Sequence, residues 1–340
     1  MSTTHQAAIV PQKGGPLAVV QRETPTPAPN ELLIQVHAVA LNPVDIYQRD
    51  MGMFIQDYPA VLGSDVGGIV VKTGSSVTLA PGTRVTAFAS AFMHKGSPNY
   101  GALQRYVLVS EEMVAVLPES YSFAEGCVFP MAALTSWNGW LWAGVPREAS
   151  SKGKEGVLVW GAGSSMGSFA VQGAKLAGYI VYATASPQHH EYLKGLGASR
   201  VFDYKSGDVL EEIVDAAKED GLIIKIGYHA TGSQQLSVDV MDALRGDGEK
   251  VKLAIAPMVD ASVKVPESVE TAFVSPPEDL EARHEQCAWI FKTWLQEKLA
   301  ARQVVVSPKI KVVEGGLESA NKALDELKAG VSGVKLVLEL

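Results

Sequence analysis

The residues with the clearest capacity for chemistry lie between Gly156 and Ser186, in GVLVWGAGSSMGSFAVQGAKLAGYIVYATAS. An apolar run, Val157–Trp160, leads into glycines at 161, 163 and 167. A helical pattern follows and closes at Gly178 before a second apolar run, Ile180–Ala183. Strand, tight turn, helix and strand in this length make a parallel βαβ unit. A turn without Cβ atoms lets a pyrophosphate approach the helix N-terminus, where free N–H groups and the macrodipole favour an anion. Gly161, Gly163, Ser164, Ser165, Met166 and Gly167 are therefore expected around the pyrophosphate of a dinucleotide. Chains that bind NAD usually place an acid for the ribose 2′-hydroxyl roughly twenty residues on, at the end of the second strand. Here that stretch reads Thr184-Ala185-Ser186-Pro187-Gln188-His189-His190, without an acid. A carboxylate would repel a 2′-phosphate, whereas Ser186, His189 and Lys194 could receive one, so the expected cofactor is NADPH.

The elements that must position this unit form two patterns. From Ala7 to about Leu117 short β-like runs alternate with Gly and Pro clusters such as Lys13-Gly14-Gly15-Pro16, which predicts a mostly β lobe. Phe123–Trp142 reads as one or two helices broken at Pro130. Beyond the glycine turn, strands are expected at about 200–203, 223–227 and 250–255 and helices at about 188–195, 208–218 and 234–244. Such alternation predicts a doubly wound parallel sheet with its ligand at the carboxyl ends of the strands. Leu280–Gln303 reads as one long amphipathic helix, Val304–Val313 as β, Leu317–Ala329 as helix and Val334–Leu340 as a last strand. That tail is expected to pack back on the first lobe. The resulting division is 1–125 with 277–340 for the β-rich lobe and 126–276 for the dinucleotide-binding one.

Composition narrows the function classes. The chain has 340 residues, 47% hydrophobic and 19% charged, with a net charge of −8 and scattered basic residues, which argues against nucleic acid or anionic membrane partners. Cys127 and Cys287 form no metal or redox motif. The first fifteen residues lack the apolar core of a signal peptide and no eighteen-residue apolar run occurs, so a cytoplasmic protein is expected.

Further stretches then point to one family. Asn42-Pro43-Val44-Asp45-Ile46-Tyr47-Gln48-Arg49, Leu62-Gly63-Ser64-Asp65-Val66-Gly67-Gly68, Gly101-Ala102-Leu103-Gln104-Arg105-Tyr106 and Ala132-Ala133-Leu134-Thr135-Ser136-Trp137 resemble successive signatures of the medium-chain dehydrogenase/reductases. The resemblance spans nearly the whole chain. It implies a Rossmann domain plus a GroES-like, mostly β catalytic domain. Within the superfamily the chain looks most like zinc-independent quinone oxidoreductases and fungal trans-acting enoyl reductases. Zinc members carry a cysteine near Asn42, a Gly-His-Glu where this chain has Gly63-Ser64-Asp65, and a four-cysteine lobe. Zinc requires converging thiolate, imidazole or carboxylate ligands, so no metal site is expected.

The same resemblance assigns candidate roles. Tyr47 would lie near the nicotinamide and hold the substrate carbonyl or supply a proton, though it could also be a plain wall residue. Asn42 would hydrogen-bond the nicotinamide ribose or the substrate, and Asp45 would act with it or merely fix the turn. Thr135 would meet the carboxamide. Tyr204 would stand near the adenosine phosphate, while Ala254 and Ile255 would end the fifth strand beside the nicotinamide. Ser332, Gly333 and Lys335 match the family's final cofactor loop. Phe129, Met131, Trp137 and Trp140 belong to a substrate pocket or to the core.

The implied activity is hydride transfer from NADPH to the β-carbon of an enone, enoyl or quinone acceptor held between the lobes. Without a Lewis acid, a conjugated acceptor is the tractable substrate, because it spreads the developing charge as an enolate. Two alternatives stay open: a metal-free alcohol dehydrogenase or carbonyl reductase, and a non-catalytic NADPH-binding module. A synthase partner could deliver the acceptor. A homodimer could pair the strand candidate 269–274 across a two-fold axis, with a monomer equally open.

Overall fold

A computed structural model describes residues 3–148, 153–246 and 250–340. The chain divides into two compact units, Met1–Met131 with Glu278–Leu340, and Ala132–Pro277.

The first unit is built mainly from strands. β1 (Thr4–Val10), β2 (Ala18–Glu23), β3 (Glu31–Ala40), helix α1 (Pro43–Met51), β4 (Ala60–Val61), β5 (Asp65–Thr73), β6 (Arg84–Phe88), β7 (Tyr106–Ser110) and β8 (Val114–Val116) precede the short α2 (Phe123–Gly126). Ala102–Gln104, just before β7, forms a corner. The Ala102 and Leu103 N–H groups donate to the carbonyls of Gly63 and Leu62, and the buried Gln104 amide donates to the Pro98 and Gly101 carbonyls. Polar satisfaction there outweighs extension of the strand.

α3 (Pro130–Ala143) leads into the second unit, and its first residue Pro130 suits a position where no N–H is needed. Then come β9 (Glu155–Trp160), α4 (Ser165–Leu176), β10 (Ile180–Thr184), α5 (His190–Leu196), β11 (Ala198–Phe202), α6 (Val209–Asp220), β12 (Ile223–His229), α7 (Gln234–Leu244), β13 (Val251–Ile255) and β14 (Val269–Phe273). All adjacent strands of this sheet pair in parallel. Their order is β11-β10-β9-β12-β13-β14, the doubly wound arrangement that places a ligand where the order reverses around β9. Leu158, Tyr182, Ile213, Val238, Met241 and Leu253 fill one side of its core.

Glu278–Leu340 returns to the first unit. The stretch expected as one amphipathic helix is α8 (Leu280–Ala288), a wide π-helical segment Trp289–Leu295, and α9 (Gln296–Ala300). Ile290, Phe291, Trp294 and Leu295 are all buried in the wide segment, a denser apolar set than a regular 3.6-residue stripe presents. Of the β character expected over 304–313, only β15 (Lys309–Val312) is a strand, and α10 (Ala320–Ala329) and β16 (Val334–Glu339) follow. β16 inserts antiparallel beside β3, and the larger sheet runs β15-β16-β3-β5-β6-β8 with β7 also paired to β3. Among the described residues no helix is long and apolar enough to cross a membrane.

Candidate active site

In the first unit, two strand registers bring four polar side chains together. Ala40 pairs with Val337 in β16 and with Asp65 at the start of β5. In an antiparallel ladder each step forward on one strand is a step back on the other, so Asn42 falls opposite Lys335. The Leu41 N–H confirms the continued register by donating to the Leu336 carbonyl. Asn42 also starts α1, with Pro43 at the first helical position.

The resulting network is almost solvent-free: Asp45 and Asp65 are fully buried, and Asn42 and Lys335 are each 5% exposed. Lys335 Nζ donates to Asn42 Oδ1 over 2.6 Å and lies 3.3 Å from Asp65 Oδ2. Asn42 Nδ2 donates to the same Asp65 oxygen over 2.8 Å. The other Asp65 oxygen accepts the Met131 N–H at 2.6 Å. Asp45 Oδ2 accepts the Asn42 N–H at 2.7 Å, closing the first turn of α1.

Burial raises the Asp65 carboxyl above its ordinary value, opposed by Lys335, Asn42 and the Met131 N–H. Burial pushes Asp45 up to about 7, with the negative Asp65 adding to the rise and the Asn42 N–H and Lys335 opposing it. Cys127, fully buried, is raised well above a free thiol by burial and by Asp65. It is an inert core thiol.

Tyr47 stands two residues along α1 from Asp45. It is 36% exposed. Met51, one turn on, and Phe54 are also exposed apolar side chains. Ser332 and Gly333 lie just before β16, with Gly333 at a positive φ of 62°. Their neighbour Lys335 turns its ammonium inward to the network.

In the second unit, the turn between β9 and α4 has the features of a phosphate cradle. Gly161 has φ +76°, and a Cβ there would meet the Thr231 carbonyl oxygen at 2.5 Å. A Cβ on Gly167 would meet the Gly161 carbonyl oxygen at 2.5 Å. Ser164 caps α4, its Oγ accepting the Gly167 N–H at 3.1 Å. The N–H groups of Ser165 and Met166 are left at the positive end of the helix. Ser165 Oγ is shielded from solvent without a hydrogen-bond partner in the chain. The cradle therefore fits a pyrophosphate.

At the end of β10, Ser186 Oγ lies 3.2 Å from the Tyr204 hydroxyl. His189 flanks Gly163, 3.4 Å from where a Cβ would stand, and its Nε2 contacts the Gln188 side-chain amide. Lys194 is engaged elsewhere, its ammonium 2.7 Å from Glu191. Lys205, which the sequence did not single out, holds its ammonium 5.8 Å from the centre of the Tyr204 ring. Ala254 and Ile255 are buried at the end of β13, and Thr135 is half-buried in α3. The structure thus groups Asn42, Asp45 and Lys335 in one unit, with the glycine turn, Ser186, His189 and Tyr204 in the other.

Known proteins match this arrangement. The alcohol dehydrogenase GroES-like domain family matches residues 28–119, and the zinc-binding dehydrogenase family matches residues 165–272. The trans-enoyl reductase tndF of Aspergillus flavipes is 47% identical over 346 residues, covering 100% of both chains. The chain belongs to the medium-chain dehydrogenase/reductase superfamily.

It is an oxidoreductase of that superfamily. A second relative, the trans-enoyl reductase tazE of Aspergillus terreus, is 51% identical over 267 residues, covering 76% of this chain and 88% of the relative. Among solved structures, the quinone oxidoreductase from Coxiella burnetii has a TM-score of 0.73 at 24% identity over 99% of both chains. An alcohol dehydrogenase superfamily protein from Novosphingobium aromaticivorans has a TM-score of 0.79 at 21% identity over 99% of both. These two likenesses establish the fold, with its GroES-like domain and Rossmann sheet.

Because one family description names zinc, the donor set matters. By the resemblance, zinc members carry a cysteine near Asn42 and a histidine at the position of Ser64; here a lysine ammonium rests on Asn42 and Asp65. Among the described residues no three His, Cys, Asp or Glu side chains converge as a metal set. An amide, a hydroxyl and a lysine-paired carboxylate do not fit zinc.

Proposed function

We propose that the protein is an NADPH-dependent reductase of activated carbon–carbon double bonds, acting without a metal on an enone, enoyl or quinone acceptor. The observation that carries this reading is the Asn42–Asp65–Lys335 network. Asn42 and Asp65, which the resemblance sets at or near zinc-ligand positions, are held by each other and by the Lys335 ammonium, which favours an acceptor that disperses its own negative charge. The likeness to the two trans-enoyl reductases supports the choice among acceptors.

When bound, the reduced nicotinamide supplies the hydride. The chain's residues bind, orient and donate. The 161–167 turn, with the N–H groups of Ser165 and Met166 and the unpartnered Ser165 Oγ, would hold the pyrophosphate. Ser186 and Tyr204 would receive the 2′-phosphate, with His189 and Lys205 beside them. Lys194 would have to leave Glu191 to take part. Thr135 would bind the carboxamide, and Ala254 and Ile255 would back the nicotinamide ring. Tyr47 would donate to the acceptor's carbonyl oxygen as charge builds there, a contribution of about 3–4 kcal/mol for one well-placed donor. Asn42 has its Oδ1 on Lys335 and one Nδ2 hydrogen on Asp65, so it would act by fixing the start of α1, the helix that carries Tyr47. Ser332 and Gly333 would approach the cofactor while Lys335 stays in the network.

A synthase partner presenting the acceptor, a cytoplasmic location, and a homodimer through the outer edge of β14 complete the reading; β14 is the last strand of its sheet. The test is an assay of 2-alkenals, quinones and simple ketones with NADPH in the presence of a chelator. Turnover of the conjugated acceptors supports the reading. Turnover of ketones alone, or loss of activity to the chelator, overturns it.

A further inference from the structure

The helix that carries Tyr47 continues at its far end as an apolar row. Met51 follows Tyr47 by one turn on the same face of α1, and once Gly52 closes the helix the chain presents Phe54. Met51 is 46% and Phe54 is 54% exposed, against 36% for Tyr47. Single exposed apolar side chains are ordinary on a protein surface. A succession of them beside a proposed hydrogen-bond donor is a feature of that site.

Phe54 is held there against its own backbone preference. Its φ is 61°, in the left-handed region, where a bulky side chain crowds the backbone and glycine or asparagine is the usual occupant. Among the described residues the other non-glycine positions in that region are Lys95 and Arg302, both polar. The surroundings enforce the conformation. The Ile55 N–H donates to the Gly52 carbonyl at 3.1 Å, and the Gln56 N–H donates to the Lys95 carbonyl at 2.9 Å, tying the loop after α1 to the loop after β6. The Phe54 ring lies 5.9 Å from the Phe92 ring, which lies 5.5 Å from the fully buried Phe88. The exposed ring is therefore braced from behind and open in front. Strain that the fold maintains while exposing an apolar ring is a mark of a functional contact.

We propose that Met51 and Phe54 are specificity-determining residues of the reaction. With the acceptor's carbonyl oxygen at the Tyr47 hydroxyl, its hydrocarbon tail lies along Met51 and ends against Phe54, so that an enoyl or enone acceptor with a tail of several carbons is preferred to a short enal. This rests on the reductase reading above and adds to it what is attached to the reacting carbons. The row suits a chain better than a protein surface, because Tyr47, Met51 and Phe54 fall well short of the roughly 800 Å² per partner that a stable interface buries.

The test measures kcat/KM of the full chain with NADPH for but-2-enal, hex-2-enal and oct-2-enal, with urea unfolding and light scattering beside it. A methylene buried against an apolar surface is worth roughly fourfold, and an open wall buries part of each, so kcat/KM should rise at least tenfold from but-2-enal to oct-2-enal. Phe54→Gly relieves the left-handed strain and should fold at least as stably as the native chain, while the oct-2-enal to but-2-enal ratio falls at least fivefold. Phe54→Leu keeps an apolar side chain and should hold the ratio within threefold of the native value. Ile223→Ser, at a 54% exposed apolar position in the other unit, should leave the ratio unchanged. Absence of turnover with every alkenal removes the reductase reading and this inference with it. Turnover independent of tail length, or a native ratio in Phe54→Gly, leaves that reading standing and overturns the inference alone. A dimer that Phe54→Gly dissociates while the ratio stays native would assign the row to a second copy of the chain and overturn it too.

Discussion

Lys335 Nζ and Asn42 Oδ1 meet over 2.6 Å although 293 residues separate them in the chain. This contact joins the last strand to the first turn of the helix that carries Tyr47, and it buries a cation beside Asp65. A buried ion pair adds little net stability over an apolar isostere, yet removing one partner strands the other. Lys335→Met should therefore lower stability by roughly 3–5 kcal/mol. The double variant Lys335→Met/Asp65→Asn should recover much of that loss, because no unpaired charge remains. Urea unfolding of the four chains measures both. Equal stability of Lys335→Met and the native chain would show that the pair is not coupled.

Asp45 gives the network a pH dependence of defined sign. Its carboxyl is raised from 3.8 to about 7 by burial and by Asp65. Between those values the folded chain holds a proton that the unfolded chain releases. This contribution therefore favours the fold most below about pH 4 and is lost progressively as pH rises to about 7. At roughly 1.4 kcal/mol per pKa unit, the Asp45 contribution reaches a few kcal/mol. Asp45→Asn keeps an oxygen for the Asn42 N–H and cannot ionise. Relative to the native chain, it should become progressively more stable from pH 4 to pH 7 and level off above. A constant difference across that range would contradict the burial of a titrating carboxyl here.

Tyr47→Phe removes the proposed donor at a partly exposed position and so should leave stability nearly unchanged. The expected effect is a loss of about 10²-fold in kcat, typical of one oxyanion-stabilising donor, with the NADPH dissociation constant unchanged. Stopped-flow turnover with separate cofactor titration distinguishes this from a wall residue, which would raise KM and leave kcat intact.

Ser186 and Tyr204 face each other at 3.2 Å, and the strand end Thr184–His190 carries no acid. Ser186→Asp should reverse cofactor preference, weakening NADPH by at least tenfold through repulsion of the 2′-phosphate while leaving NADH unaffected or improved. Fluorescence titration of both coenzymes reads the ratio directly. An unchanged ratio would place the 2′-phosphate elsewhere.

Much of this architecture is legible in the sequence because its signals are local. The glycines at 161 and 167 announce a turn no Cβ can enter, and the strand–helix alternation after them yields the parallel sheet. The Asp65–Lys335 contact could not be read this way, since it depends on the register of β16 against β3 and of β3 against β5. The resemblance groups Lys335 with a cofactor loop, and the strand register adds that its ammonium contacts Asn42 and Asp65. Lys194 illustrates local competition: Glu191, three residues earlier on the same helix, captures its charge. The wide turn at Trp289–Leu295 was hidden because hydropathy records which residues are apolar and not how many share one face.

The most direct test of the central claim follows deuterium from NADPH labelled at nicotinamide C4 into a 2-alkenal, with a chelator present throughout. The account predicts a saturated aldehyde carrying the label on its β-carbon, at a rate the chelator does not change. Label on the carbonyl carbon of an allylic alcohol, or turnover that requires added zinc, would contradict it.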